Sequence, residues 1–233
     1  MKKKMGIFSF ACCEGCQLQI LDLGQSLLKL LGVADITYFK LAQEKNIFDK
    51  FDIAIVEGAI SNKKELEELK QIRAASKYLV AIGACAVSGG IPSLIIEKTQ
   101  KKTFGVDKFV KVDYHIRGCP IDKEEFEKII IGFLVDKKEP EINHPVCVEC
   151  NEKEIQCLFK KGLPCLGPVT AAGCKAICPE SNTPCEACRG LIKDANIASV
   201  VNEFKKMGLS EKEILDKLYK FNPVDRKEAE KCI

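Results

Sequence analysis

Fourteen of the 233 residues are cysteine, and eight of these fall between Cys147 and Cys188. Thiols packed so densely serve a disulfide framework, a zinc site or a string of iron–sulfur clusters. Their spacing is Cys147-x2-Cys150-x6-Cys157-x7-Cys165, then Cys174-x3-Cys178-x6-Cys185-x2-Cys188. Eight ligands make two sets of four. A sequential partition puts Cys147, Cys150, Cys157 and Cys165 in one set and Cys174, Cys178, Cys185 and Cys188 in the other. Spacing alone also permits an interleaved partition, as in two-cluster ferredoxins. Two zinc ribbons are the alternative for the same eight residues. Pro164, Pro179 and Pro184 stiffen the ligand loops and remove backbone donors. His144 stands next to this stretch but is not needed where eight thiols are present. Cys232 is left over as a free thiol near the C-terminus.

The remaining cysteines are scattered. Cys12, Cys13 and Cys16 lie in ACCEGC, Cys85 in GACAVSGG and Cys119 in RGCP. What brings them together is the alternation of elements over residues 4–140. Short apolar runs read as buried strands at 5–10, 34–39, 51–57, 78–83 and 108–112. Segments with helical spacing lie at 17–31, 61–76 and 121–135. In the first of these, Leu18, Leu21, Leu27, Leu28 and Leu31 form an apolar stripe. Ser61 is the expected N-cap of the second, and Asp122 serves the first turn of the third. Strands this apolar, alternating with helices, predict an α/β domain with a flavodoxin-like, doubly wound parallel sheet. In such a sheet the segments after strands one, four and five share the carboxyl edge, where ligands bind.

Four thiolates converging there hold a [4Fe–4S] cluster or a zinc ion. Gly15, Gly83, Gly89, Gly90 and Gly118 surround them and let backbone approach a bulky inorganic core. Structural zinc sites usually pair two close CxxC-like units, not four scattered loops. As unligated residues, Cys85 and Cys119 would be small buried hydrophobes. His115 is either a residue lining this site or a satisfied turn histidine.

The stretch 137–145, KKEPEINHP, marks a boundary. It separates a first domain, 1–140, from a cysteine-rich domain with a helical tail, 141–233. The tail reads as two amphipathic helices at 192–208 and 210–221, the second opened by a Ser210/Glu213 capping box.

Composition narrows the function. Hydrophobic residues make up 46 % and charged residues 30 %, with a net charge of +3, so nothing points to nucleic acid. No window of about 18 uncharged apolar residues exists, so no membrane insertion is expected. The N-terminus lacks the long apolar core of a signal peptide. The expected compartment is the cytoplasm, which keeps thiols reduced and so argues for metal ligands over disulfides. No catalytic triad, flavin or nucleotide fingerprint or phosphate-binding loop is present; GACAVSGGIP is glycine-rich but matches neither glycine motif. Three clusters in so small a chain have one plain use, a wire for single electrons.

These motifs resemble the small subunit of [NiFe] hydrogenases. CEGCQLQILD is similar to the family's CxGC motif, GACAVSGG and RGCP to its two further proximal-ligand motifs, CLFKKGLPCLGPVTAAGC to the stretch joining the distal and medial ligands, and TPCEACRG to the final PCxGC. The resemblance implies that Cys13, Cys16, Cys85 and Cys119 hold a proximal [4Fe–4S] cluster. It implies a medial cluster on Cys174, Cys178, Cys185 and Cys188, and a distal one on Cys147, Cys150, Cys157 and Cys165. Many members have a histidine where Cys147 stands and a proline near Cys178; cysteine at both positions favours three [4Fe–4S] clusters. The lack of an export signal resembles the cytoplasmic viologen-reducing hydrogenases and sulfhydrogenases. The implied partners are a large subunit carrying the NiFe centre and a further electron-accepting subunit, a flavin or iron–sulfur protein. The tandem Cys12–Cys13 instead resembles the related subunit of respiratory complex I, the second reading. A zinc-stabilised interaction protein is the third.

Overall fold

A computed structural model describes residues 2–97 and 103–221. Cys232 lies outside the described residues. The chain divides into two compact units, Met1–Glu141 and Ile142–Ile233.

The first unit is built on strands β1 (Lys3–Ser9), β2 (Ala34–Phe39), β3 (Phe51–Glu57), β4 (Ser76–Ile82) and β5 (Tyr114–Ile116). All pair in parallel, in the order β2-β1-β3-β4-β5. This is the doubly wound, flavodoxin-like order, which reverses direction between β1 and β3. The central strands are apolar on both faces because both are covered. Met5, Ile7, Ile53, Ile55, Val80 and Ile82 pack into one core layer, while Phe8, Ala54, Val56, Leu79 and Ala81 pack into the other.

Helices α1 (Gly15–Leu21), α2 (Gln25–Val33), α3 (Lys63–Ala75), α4 (Gly83–Ser88), α5 (Gly90–Glu97) and α6 (Lys123–Leu134) complete the unit. Ile20 of α1, Leu30 of α2 and Phe126, Ile130 and Phe133 of α6 cover the first layer; Leu69 and Ile72 of α3 cover the second.

Three expectations need correction. The expected helix over 17–31 is two helices, broken at Gly24, whose φ of 57° lies in the left-handed region that glycine favours. The break resets the helical phase, so Ile20 and Leu30 face the core while Leu18 and Leu28 stand 54 % and 68 % exposed. The N-cap of α3 is Asn62, which accepts the Glu65 N–H; the Ser61 N–H and hydroxyl instead both donate to the Glu65 carboxylate. The apolar run 108–112 is not a strand. Phe109 and Val110 donate to the Val106 carbonyl in a turn, and this run covers the second core layer while Tyr114–Ile116 pairs with β4.

The second unit contains α7 (Val146–Glu152), α8 (Ile177–Glu180), α9 (Ile197–Lys206) and α10 (Glu211–Tyr219). The Ser210/Glu213 capping box is formed in full. Val200, Val201 and Phe204 of α9 and Ile214 and Leu218 of α10 pack on Leu166, Val169 and Ala187, so the helical tail covers the cysteine-rich segment. Among the described residues no helix is long and apolar enough to cross a membrane.

Candidate metal centres

At the carboxyl edge of the sheet the polypeptide turns three times around one spot. After β1, Cys12 and Cys13 lie in the loop to α1, and Glu14 ends that loop in the left-handed region at φ 60°. Cys16 follows in the first turn of α1 and is buried. Cys85 is the third residue of α4, directly after β4. Cys119 follows β5, and the Gly118 carbonyl of that loop accepts the Ala84 N–H at 2.8 Å, tying the Cys85 and Cys119 loops together. A Cβ on Gly83 would lie 2.5 Å from the Cys16 Sγ, so only glycine lets the α4 turn approach α1.

The thiols sense one another. Burial, followed by Cys119, Glu57 and Cys13, pushes Cys85 up to about 12. Burial and then Glu57 push Cys12 up to about 12, with Cys85 adding to it. Cys16 is driven higher still by the same two causes in the same order. A metal binding here must displace protons from these thiols.

In the second unit, Cys147 and Cys150 sit on α7, Cys157 starts the turn Leu158–Lys161, and Cys165 precedes the turn Gly167–Val169. These four line one cavity of about 60 Å³, together with Leu158, Gly167 and Pro179. Burial pushes Cys147 up to about 12, followed by Cys150, Cys165 and Cys157. The other four follow the Leu166–Ala172 segment. Cys174 and Cys178 flank the start of α8, while Cys185 and Cys188 return past it. Cys188 lies close enough to both Cys174 and Cys185 to raise each of them. The Cys185 N–H points at the Cys165 Sγ at 3.3 Å, which joins the two groups. Among the described residues no three His, Cys, Asp or Glu side chains gather tightly enough to hold a single metal ion.

Comparison with known proteins matches this arrangement to one family. The model of the NADH ubiquinone oxidoreductase 20 kDa subunit matches residues 13–133. The sulfhydrogenase 2 subunit delta of Pyrococcus furiosus is 37 % identical over 94 % of this chain and 98 % of its own. A subunit of the F420-non-reducing hydrogenase vhu of Methanocaldococcus jannaschii is 31 % identical over 94 % of this chain and 93 % of its own. The chain belongs to the hydrogenase small-subunit family, allied to the 20 kDa subunit of NADH ubiquinone oxidoreductase.

A solved structure of the Ni-Fe-Se hydrogenase from Desulfomicrobium baculatum shares the fold, with a TM-score of 0.61 at 20 % identity, covering 81 % of this chain and 94 % of that one. This hydrogenase small subunit is thus an oxidoreductase subunit whose chemistry lies in electron transfer through iron–sulfur centres.

Three further side chains that bond the cysteine-bearing segments were not legible in the cysteine pattern. Glu57 ends β3 at the switch between β1 and β3, 1 % exposed, and accepts the N–H groups of Cys16 and Gln17, each at 3.1 Å. Burial holds its carboxyl above the usual range despite those bonds. A carboxylate closing an apolar strand, FDIAIVE, was the available signal. Glu149 and Arg189 lie within and beside cysteine motifs. Arg189 is 3 % exposed, and its Nε donates to the Ala172 carbonyl at 2.6 Å. Of the residues left open, Glu14 accepts from the Ser9 hydroxyl at 3.1 Å. His115 is held by Glu141, whose Oε1 lies 2.8 Å from Nδ1 and also accepts the backbone N–H of His115.

Proposed function

We propose that this chain is the electron-transfer subunit of a [NiFe] hydrogenase, carrying three [4Fe–4S] clusters. The proximal cluster is assigned to Cys13, Cys16, Cys85 and Cys119, the medial one to Cys174, Cys178, Cys185 and Cys188, and the distal one to Cys147, Cys150, Cys157 and Cys165. The observation that carries the reading is the convergence of thiols from three separate loops at one sheet edge, around glycines whose side-chain space is taken by a neighbouring thiol or backbone. Four ligands scattered over separate loops suit a bulky cluster core better than zinc, whose structural sites pair two close CxxC-like units. When bound, each cluster accepts and releases one electron.

The chain's own residues supply the rest. Thiolate ligation fixes each cluster's place. Backbone N–H groups and burial tune its potential, and the apolar core excludes water. Its partner is a large subunit bearing the NiFe centre, where hydrogen is split; the relatives' names, as subunits of hydrogenases, support a multi-subunit hydrogenase. The exposed leucines of α1, Leu18 and Leu21, follow directly on Cys16 and supply apolar surface for a partner. A further subunit or carrier, a flavin or iron–sulfur protein, takes the electrons, and the complex works in the cytoplasm.

A second reading is an electron-transfer subunit of a complex I-like oxidoreductase. It draws on the tandem Cys12–Cys13 and on the matching 20 kDa family model. Elemental analysis of the complex, purified anaerobically from its source, separates the two. About twelve irons per copy of this chain beyond those of its partners, with near-stoichiometric nickel, is the expected result. Iron without nickel would move the assignment to the complex I-like reading, and zinc with little iron would overturn both.

A further inference from the structure

Glu149 is the third residue of the Cys147-Val148-Glu149-Cys150 motif on α7, yet its carboxylate leaves that motif. One oxygen accepts the Gly173 N–H at 2.7 Å. The other accepts the Ala176 N–H at 3.0 Å and lies 3.7 Å from the Cys174 Sγ. The segment it grips is bent hard. Gly173, Lys175 and Ala176 have φ of 109°, 55° and 49°, and two of these are not glycine. Left-handed backbone of this kind is costly for a non-glycine residue and persists only where the surroundings impose it. Its inward N–H groups form a concavity for an anion, and the anion present is the Glu149 carboxylate. On the other side of the segment, Arg189 bonds the Ala172 carbonyl and fills the space a side chain on Gly173 would need.

We propose that Glu149 is a positioning residue that reaches from one cysteine set to the other, holds Cys174 in its ligating place and lowers the reduction potential of the cluster Cys174 ligates. The proposal rests on the assignment of Cys174, Cys178, Cys185 and Cys188 to one cluster. A negative charge beside a ligating sulfur disfavours the arrival of an electron, and a half-buried charge at this distance is only partly screened by solvent. Arg189, on the opposite side of the same segment, opposes the effect. The step in potential between the medial cluster and its neighbours is therefore set by one acid and one base on either side of Cys174.

The test uses the purified complex with Glu149→Gln, which keeps an acceptor and removes the charge. Glu152→Gln is the control, since Glu152 is an exposed carboxylate on the same helix. Iron content and a redox titration followed by electron paramagnetic resonance are the readouts, with the medial signal identified by its absence in Cys178→Ser. The expected result is full iron in Glu149→Gln, an upward shift of the medial midpoint, an unmoved proximal midpoint and no shift in Glu152→Gln. Glu149→Ala, which also releases the loop, is expected to lose about four of about twelve irons. An unmoved medial midpoint in Glu149→Gln, an equal shift in Glu152→Gln, or loss of the medial iron in Glu149→Gln would overturn the proposal. A wild-type complex with less iron than three clusters require would overturn the ligand assignment itself and the inference with it.

Discussion

Glu57 reaches from the end of β3 to the backbone N–H of Cys16, 3.1 Å away, and so fixes the first turn of α1 to a different strand. The same carboxylate takes the N–H of Gln17. The first N–H groups of a helix have no partner within it, and here they are buried. Glu57→Ala leaves two of them unsatisfied, at about 1–3 kcal/mol each. The expected outcome is a lower denaturation midpoint and loss of the proximal signal. Glu57→Gln keeps one of the two acceptor oxygens and is expected to restore part of the stability, since one N–H still lacks a partner. Equal midpoints for wild type and the alanine variant would show that Glu57 holds nothing.

Asp113 gives a prediction for pH. It precedes β5, accepts the Leu79 N–H at 2.9 Å and pairs with Arg73 at 2.6 Å. Burial alone would raise its carboxyl, but the Leu79 N–H and the Arg73 guanidinium more than offset this, so its value lies below the ordinary 3.8. A carboxyl lowered by folding contributes stability that is present above the unfolded value and lost as pH falls through the folded one. Wild type should therefore lose stability below about pH 4 in a component that Asp113→Asn lacks. At neutral pH the variant should be less stable by roughly 1.5–3 kcal/mol. Parallel acid-denaturation curves for the two proteins would remove Asp113 from this role.

Cys85→Ser tests the electron path. The serine hydroxyl is a poor substitute for a thiolate at a soft iron site. The proximal cluster should be lost or altered, and hydrogen-driven dye reduction by the complex should fall at least tenfold. Hydrogen–deuterium exchange, which needs only the partner's centre, should persist. Dye reduction at the wild-type rate would rule out the proximal assignment.

Much of this was legible in the sequence because parallel sheets leave a strong signature. Runs such as FDIAIVE and ADITYF are mostly apolar, and the observed β3 and β2 match them residue for residue. Once the order of strands is granted, Cys13, Cys16, Cys85 and Cys119 have to meet. What failed was local phase and competition. Leucines spaced over 17–31 imitate one long helix, and only the backbone at Gly24 reveals the break. The run 108–112 is as apolar as a strand, but it serves as a lid on a core layer already flanked by β4. Glu57 showed only as a carboxylate closing an apolar strand and Glu149 not at all, because each acts on backbone N–H groups far along the chain, and such partners leave no mark on residue spacing.

Gly167→Ala probes the second unit without touching a ligand. A Cβ there would lie 3.4 Å from the Cys165 Sγ and 3.6 Å from the Cys147 Sγ, ordinary contact distances that leave the polypeptide unstrained. The methyl group would touch two thiols assigned to the distal cluster. The distal signal should shift at full iron content while the other two signals stay unmoved. An unmoved distal signal would place the cluster elsewhere in the cavity.

Iron removal should separate the two units. In the first unit, two extensive core layers cover both faces of the sheet, and Cys16 is a single thiol among the many apolar side chains of the first layer. In the second, Cys165 and Cys185 are themselves core residues beside Val146, Leu158 and Ala176, and Leu166 joins them to the layer beneath α9 and α10. Site formation and folding are linked where ligands form the core, so chelation should unfold 142–221 and leave the sheet intact. Limited proteolysis of the chelated complex should cut within the cysteine-rich segment and spare the first unit. Equal protection of both units after complete loss of iron would mean that the second unit is held by Val200, Phe204, Ile214 and Leu218 alone.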